Sequence, residues 1–286
     1  MKVFFNKLSL VIYFLIAALV VLNINKDVSV SSTKNKKDAN FILIGQDEGS
    51  KDSPGRGDAL IFVNIKHSKK EINLISIPRD SLVSIPCGPN GEIIHKIGHA
   101  YSYGEVNWKG SGGGGVCTAT TVANLFDTPP ISYVISTFNA FKEVVDKVGG
   151  IEVVPKYSFC ESNVCFKKGV KTKLDGKKAL IYVRHRKSLP NGDITRTSNQ
   201  RQVLVALFDK GNKMPNNEKM LMAFFILTKI RTNVSILEIK DYASPTYKDY
   251  KINSLVLTGS DYYIDGGYYY KLNKSHLNQI KKIING

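Results

Sequence analysis

Arginines and carboxylates recur at the ends of apolar runs in this sequence. Gln46-Asp47 follows the run Asn40 to Gly45, Arg56-Gly57-Asp58 precedes Ala59 to Ile65, and Pro78-Arg79-Asp80 closes Glu71 to Ile77. Further along come Tyr182-Val183-Arg184-His185-Arg186 and the stretch Asp193 to Gln200, which contains Arg196. A guanidinium is a permanently charged planar fork that matches phosphate oxygens two at a time. Two carboxylates among several arginines suit a hard cation such as Mg²⁺ on a substrate phosphate. If the three apolar runs are neighbouring strands, Asp47, Asp58 and Arg79 could converge at one edge. Arg196 and Gln200 are four apart and so share a helical face, and Gln200 lies one turn before Val203 and Leu204, which directs it inward.

Taken singly, each feature has a plainer reading. Arg56-Gly57-Asp58 can be a turn, Pro78-Arg79-Asp80 a strand terminator with a surface ion pair, Arg184 to Arg186 a solvated helix end, and Asp47 a turn or cap residue. His95 and His99 have the spacing of a metal pair but lack a nearby third ligand, which favours packing or hydrogen bonding. The run Gly110 to Gly115 lacks the Gly-Lys-Ser/Thr of a P-loop and reads as a linker or lid. There is no Gly-x-Ser-x-Gly and no candidate catalytic cysteine, so acyl-type nucleophilic catalysis finds no support.

The elements that must position these residues follow from periodicity. NFILIG (40–45) suits a buried strand, and ALIFVNI (59–65) with EINLISI (71–77) reads as an antiparallel hairpin ended by Pro78. Thr118 to Phe126 has helical spacing, Tyr133 to Thr137 reads as a strand, and FNAFKEVVDKV (138–148) is an amphipathic helix stopped by Gly149-Gly150. Leu174 to Val183 is helical or helical then extended, and a helix over Arg196 to Lys210 would bury Val203, Leu204, Leu207 and Phe208. Lys219 to Ile230 is apolar nearly all round and is expected to be buried, as core or as the lining of a lipid pocket. Ser275 to Ile284 closes the pattern as a short amphipathic helix. Hairpins mixed with helices predict an α/β fold (an α+β sandwich) in one domain over 40–286.

Residues 1–7 carry Lys2 and Lys7, and 8–24 form the one segment apolar enough to enter a membrane. Seventeen helical residues reach roughly 25 Å, slightly short of a ~30 Å hydrocarbon core. The preceding lysines favour a cytoplasmic N-terminus, which puts the rest of the chain outside; a cleaved signal peptide would export it equally. The polar, period-free stretch 25–39 reads as a tether. The full chain of 286 residues, with 40 Lys+Arg against 24 Asp+Glu, has a formal charge of +16. The first 40 residues hold six lysines and two aspartates, which leaves +12 for the exported part and suggests anionic lipid heads, phosphate-bearing substrates or an acidic polymer. Nucleic acid is not expected, since the chain is exported and carries none of the familiar motifs. A hydrophobic content of 43% excludes disorder throughout, and four cysteines are too few for a disulfide-built scaffold. Cys160 and Cys165 could staple a local hairpin, leaving Cys87 and Cys117 to pair; free thiols stay open, and zinc finds no CxxC spacing.

In order, FILIGQD, GRGDALIFVNI, INLISIPRDSLV, KIGHAYSYGE, TTVANLF, FKEVVDKVGGIEVVP, LDGKKALIYVRHR and GDITRTSNQRQVL strongly resemble the LytR–CpsA–Psr family. The match runs from about Asn40 to the C-terminus and weakens after about Lys213. The resemblance implies a central mixed sheet flanked by helices, with a hydrophobic lipid pocket. It implies a cell-membrane phosphotransferase with one N-terminal transmembrane helix and its catalytic domain on the extracytoplasmic side. Such an enzyme moves a glycopolymer (wall teichoic acid, capsule polysaccharide or similar) from a polyprenyl pyrophosphate carrier to peptidoglycan, with phosphodiester formation. Its partners would be that lipid-linked glycopolymer, peptidoglycan and membrane lipid, and its cofactor Mg²⁺. Carried over by position, the pyrophosphate-binding residues are Arg56, Arg79, Arg184, Arg186, Arg196 and Gln200, the Mg²⁺-associated acids are Asp47 and Asp58, and Asp193 matches a further acidic position. Arg79 and Asp58 are the catalytic candidates, Asp58 orienting metal or acting as base. The alternative is a polyprenyl pyrophosphate-binding or pyrophosphatase protein with a regulatory role. Three features depart from the pattern: Asn199 stands where the family usually has arginine, Gly57 where it usually has serine, and the cysteines are not general to it.

Overall fold

The computed structural model describes residues 38–46, 49, 54–185, 199, 202, 203, 206, 207, 209–211, 213–234 and 250–286. The expected anchor (8–24), most of the tether, and Asp47, Arg186, Asp193, Arg196 and Gln200 lie outside the described residues. Among the described residues no helix is long and apolar enough to cross a membrane. The described chain divides into two compact units, one of residues 136–231, the other of 38–135, 232–234 and 250–286.

Strands β1 (Ala39–Gln46), β2 (Gly57–Lys66) and β3 (Glu71–Ile77) form where β-branched and aromatic residues crowd together. They are antiparallel neighbours, Ile42 opposite Phe62 and Phe62 opposite Ile75. Pro78 has no N–H to donate, so the β3 ladder stops at Ile77. A hairpin of β4 (Leu82–Gly88) and β5 (Gly91–Lys96) follows. Helices α1 (Ala100–Asn107) and α2 (Gly113–Phe126) precede β6 (Ser132–Thr137). Side chains of α2 meet one face of the sheet in a core of Ile42, Leu60, Phe62, Ile75, Val122 and Phe126, with the Phe62 and Phe126 ring centroids 4.8 Å apart.

The other unit begins with α3 (Phe138–Lys147), where the Thr137 hydroxyl accepts a hydrogen bond from the Ala140 N–H and caps the N-terminus. Gly149 and Gly150 stop it at positive φ, as predicted. Short pairs follow, β7 (Ile151–Val153) with β10 (Thr172–Leu174) and β8 (Phe159–Glu161) with β9 (Val164–Phe166). Then come α4 (Gly176–Arg184), capped by Asp175, and α5 (Asn216–Leu227). Phe141, Val145, Phe166, Tyr182, Val203 and Ile226 share its core. Val203 and Leu207 are helical and buried, as the predicted helix requires; Leu204 and Phe208 lie outside the described residues.

The chain ends through β11 (Ile230–Thr232), β12 (Lys251–Val256), β13 (Gly259–Ile264), β14 (Gly267–Leu272) and α6 (Lys274–Asn285). The six-stranded sheet has the order β11-β6-β1-β2-β3-β12, and because β12 runs parallel to β3 the sheet is mixed. Ile280 and Ile284 of α6 join the core on the α2 side.

Two expectations are corrected. The Gly110–Gly115 run is not a free loop, because Gly113 to Gly115 form the first turn of α2. A Cβ on Gly114 would stand 2.4 Å from the Tyr101 carbonyl oxygen, so the missing side chain is what lets α1 and α2 touch. The Lys219–Ile230 segment is not buried all round: Met222 and Ile226 are, whereas Leu221 and Phe224 are 64% and 62% exposed.

Candidate functional site

Asp58 sits where the β1–β2 register slips. Gly45 faces Ala59 and Gln46 faces Gly57, so Asp58 is the extra residue of a β-bulge. Bulges turn one side chain out of the pleat. This one leaves a carboxylate 4% exposed on a strand whose other polar side chains are Asn64 and, at its far end, Lys66. A buried carboxylate must be paired. Arg79 Nη1 donates to Asp58 Oδ1 at 2.6 Å, while Arg79 Nε lies 3.6 Å from Asp80 Oδ2. Lys96 Nζ reaches the other Asp80 oxygen at 3.3 Å. Charges thus alternate along one line, Asp58, Arg79, Asp80, Lys96.

The backbone holds this line in place. Ser81 N–H donates to the Pro78 carbonyl, turning the chain at the end of β3, and Gly98 N–H donates to the Arg79 carbonyl at 2.8 Å. Gly98 is wedged between two strand ends: a Cβ there would be 3.0 Å from Gly57 O and 3.1 Å from Arg79 O. The motif containing Gly98 and His99 is therefore the buttress of the arginine.

Burial alone would lower the Arg79 pKa, but Asp58 and Asp80 outweigh it and raise it. The guanidinium is a fixed cation with 38% of its side chain exposed. His99 is pushed the other way, down to about 4, first by burial and then by the charges of His95, Arg56 and Lys96, with Asp80 opposing. His95 is lowered by burial and by Lys96. Both rings are neutral at pH 7 and stack with centroids 4.5 Å apart. This is the packing role expected of the pair. Among the described residues no group of three or more His, Cys, Asp and Glu could hold a metal.

Arg56, Asp58 and Arg79 fall in the unit that contains β1 to β5, with Arg56 exposed just before β2. Arg184 falls in the other, as the last residue of α4, with its guanidinium 5.2 Å from the Phe138 ring centroid. Its neighbour His185 is not solvated: it is 6% exposed, stacks on Phe159 at 4.3 Å and hydrogen-bonds Glu161. Asn199 is 2% exposed and donates to the Tyr182 carbonyl at 3.4 Å, an interior role at the position where the resemblance implies arginine. Cys87–Cys117 and Cys160–Cys165 are disulfides, the pairing suggested by spacing. The surface ion pair weighed for Pro78-Arg79-Asp80 is present, whereas the ion pair of Lys96 with Asp80 has no counterpart among the sequence expectations. Lys96 opens the KIGHAYSYGE segment, so its position was visible, but its pairing depends on the β4–β5 hairpin, which was not foreseen.

An arginine pinned from behind by a buried acid, with its outer side open to solvent, can grip phosphate oxygens without reorganising. A model of the LytR_cpsA_psr family matches residues 20–286. Polyisoprenyl-teichoic acid–peptidoglycan teichoic acid transferase TagU of Bacillus subtilis strain 168 is 34% identical over 265 residues, covering 90% of this chain and 79% of TagU. The TagU of Bacillus licheniformis is 33% identical over 274 residues, with 92% and 85% covered. The crystal structure of B. subtilis TagV superposes with a TM-score of 0.68 at 32% identity, covering 87% of this chain and 96% of TagV. TagT bound to LIIa-WTA superposes at 0.63 with 29% identity, covering 91% and 96%. The mixed sheet with flanking helices is shared with these structures, and the chain belongs to the LytR_cpsA_psr family.

Proposed function

We propose that this chain is a transferase that moves a glycopolymer of the teichoic acid class from a polyprenyl pyrophosphate carrier to peptidoglycan. The observation that carries the reading is Arg79, fixed by the buried Asp58 with its outer face open, in a chain whose relatives are named teichoic acid transferases. In the proposed reaction a glycan hydroxyl oxygen attacks the phosphorus that bears the glycopolymer. A P–O bond forms to the acceptor, the P–O–P bond breaks, and polyprenyl monophosphate leaves with the electron pair. The hydroxyl proton passes to a base. The Arg79 guanidinium neutralises charge as it builds on the phosphoryl oxygens, and its geometry is already set. Asp58 holds the guanidinium in place.

Asp58 is a hard oxygen donor, and one or two carboxylates completed by substrate phosphates suit Mg²⁺. With Asp47 it would hold that ion, which would supply further charge neutralisation at the diphosphate. On the strength of the resemblance, Arg56, Arg184, Arg186, Arg196 and Gln200 are further proposed diphosphate-binding positions. The segment 8–24 is proposed as the membrane anchor, with 40–286 on the extracytoplasmic side and a nonpolar pocket for the polyprenyl tail.

The test is transfer by the full chain in nanodiscs, from a polyprenyl-pyrophosphate-linked saccharide to purified peptidoglycan. Arg79→Ala should lower kcat by roughly two to three orders of magnitude, the scale of losing one preorganised charge-stabilising group. Arg79→Lys should recover part of it, since an ammonium keeps the charge but not the fork. Wild-type transfer by Arg79→Ala would overturn the assignment.

A further inference from the structure

The β13–β14 hairpin places five tyrosines within fourteen residues, Gly259 to Leu272. Its turn, Asp265-Gly266, has positive φ at both residues, the two-residue geometry that matches strand twist. A two-stranded hairpin is marginal alone. This one is anchored beside the arginine: Tyr270 N–H donates to the Asp80 carbonyl at 2.8 Å, and Ser81 bridges to Tyr270. Tyr270 is 8% exposed and serves the core.

Tyr262 and Tyr263 are exposed, whereas Tyr268 and Tyr269 are half-buried. Tyr263 opposes Tyr268 and Tyr262 opposes Tyr269, so the two pairs occupy opposite faces of the ribbon. Tyr263 is 65% exposed and packs edge-on against Tyr268 at 5.6 Å. The Tyr268 hydroxyl donates to Asp261 Oδ1 at 3.0 Å, which fixes that ring. Lys96 Nζ lies 5.9 Å from the Tyr268 centroid and 5.4 Å from that of Tyr269. The same lysine pairs with Asp80, which pairs with Arg79. The aromatic surface is thus continuous, contact by contact, with the candidate site.

We propose that the Tyr263 face of this hairpin, with Tyr268 and Asp261, is a subsite for the acceptor: an uncharged pyranose strand such as the glycan of peptidoglycan. The proposal rests on the transferase reading for its role in catalysis. A pyranose ring offers a face of C–H groups with slight positive character, which suits the electron-rich face of an aromatic ring. Its rim of hydroxyls suits carboxylate acceptors such as Asp261. An anionic membrane surface is the other chemistry for exposed tyrosines near lysines. Asp261 and Asp265 argue against it, because both would be repelled and desolvated there. The same carboxylates disfavour a polyprenyl tail, which would have to bury them.

Binding of the full chain in nanodiscs of neutral lipid to polymer-free peptidoglycan sacculi and to chitohexaose tests the subsite. Tyr263→Ala should weaken both by about fivefold, the scale of one lost stacking contact. It should raise KM for the glycan acceptor, with kcat and donor KM unchanged. Tyr263→Phe should bind as wild type, and Tyr262→Ala, on the opposite face, should stay within twofold. Arg79→Ala should bind sacculi normally while losing transfer; if it transfers normally, the transferase site is wrong but the sacculus result still decides the hairpin. Sacculus binding by Tyr263→Ala within twofold of wild type overturns the proposal. So does retained sacculus binding with lost affinity for anionic vesicles, which would make the hairpin a membrane surface.

Discussion

Arg79 owes its position to acids on both flanks, and the same cluster determines the behaviour of the neighbouring histidine. His99 is held down to about 4 by burial and by His95, Arg56 and Lys96, against an ordinary value of 6.5, with Asp80 acting in the opposite sense. The unfolded chain therefore takes up a proton at this residue as pH falls through about 6.5, whereas the folded chain refuses it until about pH 4. The unfolded state binds more protons across that window, so stability falls as pH falls from 6.5 to 4 and is insensitive to His99 above it. His99→Gln should flatten the urea midpoint against pH over that window and leave the midpoint at pH 8 nearly unchanged; equal slopes for the two proteins would refute the assignment. The convergence of Asp58 and Arg79 is legible because the two residues flank apolar runs that read as one hairpin. The Asp80–Lys96 link was not, because a lysine sixteen positions away finds its partner only through a hairpin whose sequence has no strong alternation.

At the scale of elements, strongly periodic segments are legible and close backbone contacts are not. Strands β1, β2 and β3 and helix α3 carry strong patterns and formed where expected. Propensity alone puts the first turn of α2 in a loop, because glycine is a poor helix former. Packing overrides propensity there: Gly104, Gly114 and Gly115 have no room for a Cβ, the nearest atoms lying at 2.6, 2.4 and 2.5 Å. Gly114→Ala would gain up to ~1 kcal/mol in propensity but collide with a backbone oxygen that has no flexible end to yield. Overpacking of this kind costs about 1–3 kcal/mol, so the net effect should be a lower urea midpoint. Gly110→Ala, with nothing within 4 Å, should be near neutral. Equal midpoints for both variants would mean that the helices can part without loss. A second hidden contact crosses four strands: Asn64 donates to Asn40, Asn73 to Asn64 and Asn253 to Asn73, at 2.8, 2.9 and 3.0 Å. These amides lie opposite one another in register, so a slip by one residue would strand buried polar groups in an apolar layer. Single asparagines inside apolar runs give no sequence signal of such a ladder.

Over the whole molecule, the division into two units was invisible to composition. The chain passes from one unit to the other at Ile135 and Ser136, in the middle of β6, where no glycine, proline or polar linker marks a boundary. Each unit has its own core and its own disulfide, Cys87–Cys117 in one and Cys160–Cys165 in the other. The sequence separations are 30 and 5 residues. On the chain-entropy account, closing the longer loop contributes about 3–4 kcal/mol and the shorter about 2 kcal/mol, each through the unfolded state. Two cores also make a single two-state transition a poor description of unfolding. The replacement Cys87→Ser with Cys117→Ser should therefore lower amide-exchange protection mainly in β1, β2, β3 and α2. Cys160→Ser with Cys165→Ser should act mainly on α3 and α4, by roughly half as much. A uniform loss of protection across both units in either double variant would show that they unfold as one cooperative body, and the entropy of each loop would then count against the whole chain.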